Sequence, residues 1–480
     1  YYDETADSAL ITRHEREIFP LLHRRHLFAD VKNFLLYDFY SDNGDVIEDV
    51  FAYSNKEEGE GSLVLFHNKW GEARGWVKMS AAYAVKTGDG EDKTLEQRHL
   101  AEGLGLTYSA EYYTIFREHI TGREYIRNSK EIHEKGMRFE MGAFEYRVYL
   151  DFHEVHDTTG EYAALADYLH GRGVPSIEEA RKEIFLRSIL EPFRVLVSAE
   201  TVRDLMRRKG EKEKRGEVDE AISNLQSPIS NLLSAAKEIS GGEGDVEAAA
   251  AEIVAKLDAV LKLPALTERF PKARSKKYMA ADTILKETLG EDEIAWAMIL
   301  AWTVTHALGK VVEKEKENGR KGEKENGRKF AALSRSWIDE WLLGKILSTT
   351  IQNLGADQPA SWRAVPLFKL LVARYGQWFA LDAKKPERAF ATLQAWLKDP
   401  EAQQYLGVNR FNGVLWYNKG TFTKLLNWMF TLTVVEITNT LKPEKIPNAI
   451  LNVYKIVEEL QEADEVSGYQ VEALLEAVKR

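Results

Sequence analysis

Trp70 and Trp76 stand in the stretch HNKWGEARGW (67–76), with Glu72 and Arg74 between them and Gly71 and Gly75 alongside. A planar apolar ring next to charged hydrogen-bonding groups is what stacking on a sugar ring requires, and the glycines leave the backbone free to present both indoles. The same pattern also reads as a plug at the end of a β-sandwich, because amphipathic aromatics seal such ends. Trp70, Glu72, Arg74 and Trp76 are therefore the candidate carbohydrate-binding residues, with the plug as the competing reading.

Other chemistries fail on mechanism. There is no cysteine, which removes thiol nucleophiles, disulfides, zinc ribbons and iron–sulfur clusters, and leaves His, Asp and Glu as the only strong metal ligands. Ten of the eleven histidines precede residue 171, but His153 and His156 on a strand would point to opposite faces, and Arg24 and Arg25 between His23 and His26 oppose a cation. Gly322 and Gly327 have the gap of a phosphate loop, yet Arg328 and Lys329 stand where Lys and Ser or Thr are needed. Gly88-Asp-Gly90 and Gly242-Glu-Gly244 lack the third glycine of a dinucleotide turn. Glycoside hydrolysis needs two convergent carboxylates, and Glu72, Glu102, Glu111, Glu118, Glu124 and Asp151 are scattered in a way that reads as a solvated acidic surface. No catalytic residue, metal or cofactor is assigned.

The elements that must carry these residues change type along the chain. Asp7 or Ser8 caps a helix with Leu10, Ile11, Ile18 and Leu22 at helical spacing, which Pro20 kinks or ends. Short β-rich runs follow at 33–40, 49–55, 62–68 and 137–155, separated by the hairpin signal SDNGD (41–45) and the tight tip KEEGEG (56–61). An antiparallel β-sandwich over residues 30–155 is expected, preceded by a helical segment over 1–29 and followed by an all-α irregular bundle over 156–480. Ser176 with Glu179, and Asp245, mark helix starts; Pro264 marks a stop. The charged stretches 207–217 and 313–329 are expected as solvated loops. Nine of the eleven tryptophans lie at or beyond Trp296 and read as core. The uncharged run Ile294 to Gly309 is shorter than a bilayer span and reads as a buried helix. Net charge is −11, with 19 basic and 29 acidic residues in 1–155, so neither nucleic acid nor membrane is an expected partner. The chain opens YYDETADS without Met or a visible signal peptide, so a fragment of a longer protein is expected, and its compartment stays open.

The order of a helix, then NFLLYDFY, then DVFAYSN ending near Tyr53-Ser54-Asn55, an acidic tip, and SLVLFHN ending near His67-Asn68 resembles the passage from a (β/α)8 barrel into domain C of the α-amylase family, glycoside hydrolase family 13. The stretches 74–106 and 407–420 look like the C-terminal portions of large bacterial members. The resemblance implies that Asp7 to Arg25 is the closing helix of a missing barrel and that FEMGAFEYRVYLDF (139–152) supplies late domain C strands. It implies a non-catalytic C-terminal region that stabilises the barrel and binds an α-glucan or maltooligosaccharide. The family's catalytic Asp, Glu and Asp have no counterpart here, because no Asn-His-Asp or Gly-x-Arg-x-Asp element occurs. The alternative is a non-enzymatic helical protein-interaction scaffold with a β module.

Overall fold

A computed structural model describes the chain apart from residues 1–6, 30, 87–91, 209–214, 272, 274, 314–318, 375 and 480. It divides into two compact units, residues 1–185 and 186–480.

The first unit is built on strands β1 (Leu35–Ser41), β2 (Val50–Glu57), β3 (Glu60–His67), β4 (Ala73–Ser80), β5 (Tyr83–Lys86), β6 (Lys93–Glu96), β7 (Tyr112–Glu118), β8 (Glu124–Asn128), β9 (Met137–Met141) and β10 (Tyr146–His156). Turn chemistry sets the registers. Glu58 and Gly59 both have positive φ in the two-residue turn that pairs Glu57 with Glu60, and Gly44 (φ 88°) closes the 41–45 tip. Where a two-sheet sandwich was expected, hydrogen bonds join eight strands into one antiparallel sheet, ordered β8-β7-β10-β3-β2-β1-β4-β9, with β5 and β6 as a separate hairpin. This is a curled, half-barrel sheet. Register shifts between Tyr37 and Phe39 and between Leu150 and His153 mark the bulges that bend it, the second containing Asp151 at φ 58°.

Tyr37, Phe39, Leu65, Val77, Phe116 and Tyr149 fill one core of the sheet, covered by Leu100, Leu104 and Ile132 from the helices Leu100–Leu104 and Ser129–Lys135. The last strand ends at His156, but the compact unit runs on to Phe185. Tyr113, Ile115 and Ile126 need cover, and Leu165, Leu169 and Ile177 of the next two helices provide it. A fourth small cluster ties the N-terminal segment to the sheet, with Leu27 buried against Val64, Val148 and Leu150.

The second unit is helical, around one large core containing Trp296, Trp302, Trp378 and Trp396. Asp245 accepts from the Ala248 N–H at 3.0 Å to start the helix Val246–Lys262, and a 3-10 turn at Leu263–Ala265 follows at Pro264. The apolar run lies in the helix Glu293–Thr305 and the turn after it. It is apolar and long enough to cross a membrane by composition, yet every residue from Ala295 to Gly309 is buried within the unit.

Two expectations need correction. The charged stretches are largely helix rather than loop: residues 207–208 end the helix Ala199–Arg208, 215–217 begin Arg215–Ser240, and 319–329 begin Gly319–Glu340. Glu, Lys and Arg are good helix formers, and the long helices they extend are anchored further along. The remainders, 209–214 and 314–318, lie outside the described residues, as does Gly88-Asp-Gly90. The unit is also not all-α, since Asn409–Phe411 pairs with Val414–Trp416 across Asn412-Gly413, both at positive φ.

Candidate functional site

The four residues singled out by sequence sit on one flank of the β unit, in two different settings. After β3 the chain turns through 68–72, with Gly71 at φ 119°, a conformation that side chains disfavour. Trp70 stands at this turn, 82% exposed, its ring 5.9 Å from that of Phe144 at an angle of 51°. A ring so exposed is no plug. Trp76 lies within β4 instead, half-buried, opposite Tyr40 of β1 and Arg138 of β9, and its indole N–H donates to Asp42 Oδ1 at 3.1 Å.

A single flexible loop presenting both rings is therefore not what the chain forms. Gly75 is a strand residue where an added Cβ would come within 2.1 Å of the Tyr40 carbonyl oxygen, so its role is close approach of β1 and β4.

Arg74 and Trp76 share a face of β4 by the two-residue period, and β9 places Glu140 and Arg138 opposite them. Arg74 pairs with Glu72 at 3.0 Å, and Arg138 pairs with Asp42 at 3.1 Å and with Glu140 at 2.9 Å. Arg138, and then the Trp76 indole, hold the Asp42 carboxyl below its usual range. The result is an exposed aromatic plate followed by a strip of paired charges. Such a surface can stack on and hydrogen-bond a polar ring. Glu72 is paired with Arg74, and Asp42 and Glu140 share Arg138, so two arginines stand against three carboxylates along the strip. Asp42, Arg138 and Glu140 were missed by sequence reasoning; the alternation in MRFEM (137–141) was the signal for the last two, while Asp42 sits in the SDNGD tip (41–45).

The scattered carboxylates are structural. Glu102 accepts from the His99 N–H at 2.9 Å in a capping box, Glu118 from Ile120 and Thr121, and Glu124 from the Ile177 N–H at 2.8 Å. Glu111 lies 3.3 Å from His156, and Asp151 pairs with Arg24. His156 stacks on Tyr112, while His153 Nδ1 faces the Asp151 carbonyl at 2.9 Å, so the two rings do not form a ligand pair. Among the described residues no three His, Asp or Glu side chains gather as a metal site.

A different arrangement holds the N-terminal helix Ser8–Glu17, which Asp7 caps as expected by accepting from the Ala9 N–H at 2.9 Å. Its contact with the sheet is polar. Glu17 is buried, accepts from the Tyr146 hydroxyl, pairs with Arg13 (2.9 Å) and Arg16 (2.5 Å), and its carbonyl faces His119 Nε2 at 2.8 Å. The Tyr146 hydrogen bond, then those from Arg13 and Arg16, lower its carboxyl pKa to about 2. Leu10, Ile11, Ile18, Phe19 and Leu22 meanwhile remain 37–57% exposed.

The helical unit buries charge of its own. Lys256, 1% exposed, reaches Glu436 (2.6 Å), Glu252 (3.0 Å) and His306 Nε2 (2.9 Å), and lies over the Trp302 ring. Lys310 completes the group at 2.6 Å from Glu252. His306 Nδ1 faces the Trp302 carbonyl at 3.2 Å, and its Nε2 faces both the Lys256 ammonium at 2.9 Å and the Glu252 carboxylate at 3.3 Å, so the ring stands between a cation and an anion. Burial, reinforced by Lys256, pushes that imidazole below its ordinary pKa.

No family model matches this chain, and no curated protein or solved structure gives a significant match to it.

Proposed function

We propose that this chain is a non-enzymatic interaction scaffold in which the β unit offers the apolar face of its N-terminal helices to a protein partner. The observation that carries this reading is the inverted N-terminal segment: Glu17, at the end of the helix Ser8–Glu17, is anchored in the protein, while Leu10 and Ile11 of that helix, Ile18, and Phe19 and Leu22 of the helix Phe19–His23 stand in solvent. An isolated ten-residue helix is marginal in water, so a face of this kind costs solubility and is retained where a partner covers it. Each Å² of apolar area so covered stabilises by about 25 cal/mol. The test is light scattering of the parent chain against Leu10→Glu/Ile11→Glu/Leu22→Glu as concentration is raised. Concentration-dependent association of the parent, lost in the variant without a change in melting temperature, is expected. A parent that stays monodisperse and binds no hydrophobic dye would retire the reading.

The exposed Trp70 plate beside the Glu72–Arg74 pair favours a second reading, in which the protein partner is the barrel of an α-glucan-acting glycoside hydrolase of family 13. On it the curled sheet is a domain C-like module with its two halves folded over one core as the layers of a sandwich, and Trp70, Glu72, Arg74 and Trp76 contact a maltooligosaccharide. Calorimetry with maltoheptaose tests it: heat lost in Trp70→Ala supports the reading, and no heat from the parent chain removes it.

A further inference from the structure

The helical unit contains a cavity of about 530 Å³, a size typical of small-molecule sites. Two helices shape it. Along Lys419–Thr440 the lining residues Gly420, Thr421, Lys424, Asn427 and Trp428 recur at the spacing of one helical face. Gly420 and Lys424 are exposed and Trp428 is buried, so this face descends from a mouth at the first turn to a floor at Trp428, about 12 Å further along the axis at 1.5 Å per residue. Along Gln358–Ala373, Ala360, Arg363, Ala364 and Leu367 repeat the same spacing, and the two alanines leave room between the helices. Ile294, Met298 and Ile351 complete apolar walls.

The polar groups of the cavity divide into satisfied and unsatisfied. Asp292 is occupied as a helix cap, accepting from Ile294 (2.9 Å) and Ala295 (3.3 Å), and Asn418 likewise accepts from Thr421 at 3.0 Å. Arg363 and Lys424 at the mouth form no ion pair among the described residues. At the floor, the Asn427 side-chain oxygen is buried without a hydrogen-bond partner, a state that burial penalises and a donor would relieve. Glu287 is the one uncapped carboxylate in the lining, and it is exposed.

We propose that this cavity binds a small carboxylate with an aromatic body and a hydroxyl donor. Its carboxylate sits between Arg363 and Lys424, its ring lies against Ile294, Met298, Leu367 and Trp428, and its hydroxyl donates to Asn427 Oδ1. The two cations and the orphaned oxygen select opposite ends of the same molecule, which distinguishes this site from a merely apolar crevice. Nothing in this inference depends on the β unit or on the scaffold reading.

Calorimetry on the full chain tests it with three probes: 4-hydroxyphenylacetate, phenylacetate and the neutral 2-(4-hydroxyphenyl)ethanol. The hydroxylated acid is expected to bind one per chain, about tenfold tighter than either analogue, since each lacks one charged or buried hydrogen bond. Arg363→Gln/Lys424→Gln changes exposed side chains only and should reduce the acid to the affinity of the alcohol, with an unchanged circular dichroism spectrum. Glu287→Gln should tighten the acid and leave the alcohol unaffected. Equal affinity for acid and alcohol, a preference that survives the double variant, or no heat from any probe at millimolar concentration would overturn the proposal.

Discussion

The two units treat charge and apolar surface in opposite ways. The helical unit draws Lys256, His306, Glu252 and Glu436 into a shared buried network and encloses its longest apolar run completely. The β unit keeps its arginine–carboxylate pairs along an exposed strip and leaves the apolar residues of its first helix in water, with Glu17 as the polar anchor. A buried charge network is costly to assemble and confers specificity on its surroundings only when every member is satisfied. A polar anchor under an exposed apolar face, by contrast, holds an element in place without covering it. The first arrangement closes charge inside the helical unit; the second leaves apolar surface open to solvent, as the proposed scaffold requires.

The largest expected effect breaks the buried network. Lys256→Met leaves the Glu436 carboxylate with its cation removed, while Glu252 keeps Lys310, and loss of one member of a buried ion pair typically costs about 3–5 kcal/mol. Hydrogen-exchange mass spectrometry under urea would resolve the two units, with protection lost in 186–480 and retained in 1–185. Adding Glu436→Gln should recover part of the loss, because it removes the stranded charge. A Lys256→Met protein as stable as the parent would show that solvent reaches this lysine.

Second in size is the anchor. Glu17→Gln removes a charge-assisted hydrogen bond from Tyr146, a kind of bond that contributes about 1.5–3 kcal/mol, while the pairs with the exposed Arg13 and Arg16 are screened by solvent and add little. The expected readout is local: faster exchange of amides 8–23 with those of β3 and β10 unchanged. Exchange that accelerates across the whole sheet would mean that the helix belongs to the fold of the β unit rather than resting on it.

Acid should then separate the units. Burial lowers the His306 pKa from 6.5, so below that value the unfolded chain binds a proton that the folded chain does not. The corresponding stability is complete above pH 6.5 and is lost as pH falls toward the depressed folded value. Lys256 and Glu252 face the same ring, and Glu436 meets it through Lys256. Burial raises Glu252, but His306 and the two lysines outweigh it and hold it low, so its contribution is lost only below its ordinary 4.5. Glu17 follows the same sign, its contribution present above 4.5 and lost as pH falls to about 2. The helical unit should thus weaken first, as pH falls below 6.5, and His306→Gln should flatten that decline. A β unit that opens first would reverse the comparison.

These contrasts were unevenly legible in the sequence. Local signals carried well: the Asp7 and Asp245 caps, the 41–45 and 56–61 tips and the buried run from Ile294 are all where residue types place them. What failed was non-local. Alternating apolar residues announce a sheet but not whether it closes as two layers or curls as one, since that depends on bulges such as the one at Asp151. The lysine network joins residues 252, 256, 306, 310 and 436, and no spacing announces it. The Asn412-Gly413 hairpin, however, carried the same dipeptide that marked Asn43-Gly44 and was overlooked among helical signals. At the candidate surface, glycines at 71 and 75 look alike in sequence, whereas only the first lies in a turn.

The smallest effects sharpen the contrast within that surface. Trp70 meets solvent on most of its area and touches Phe144, so Trp70→Ala should change stability by less than about 0.5 kcal/mol, as surface substitutions usually do. Trp76 is half-buried in β4 and its indole supports Asp42, which Arg138 also holds; truncation removes that hydrogen bond together with part of the ring's packing, a loss of about 1–2 kcal/mol. Asp42→Ala should then cost little more in the Trp76→Ala background than the Arg138 pair alone, because the indole bond is already gone. Melting temperatures of these variants decide the point. If Trp70→Ala proves the more damaging of the two, the exposed plate is covered by another part of the protein in solution and is not free to stack on a ligand.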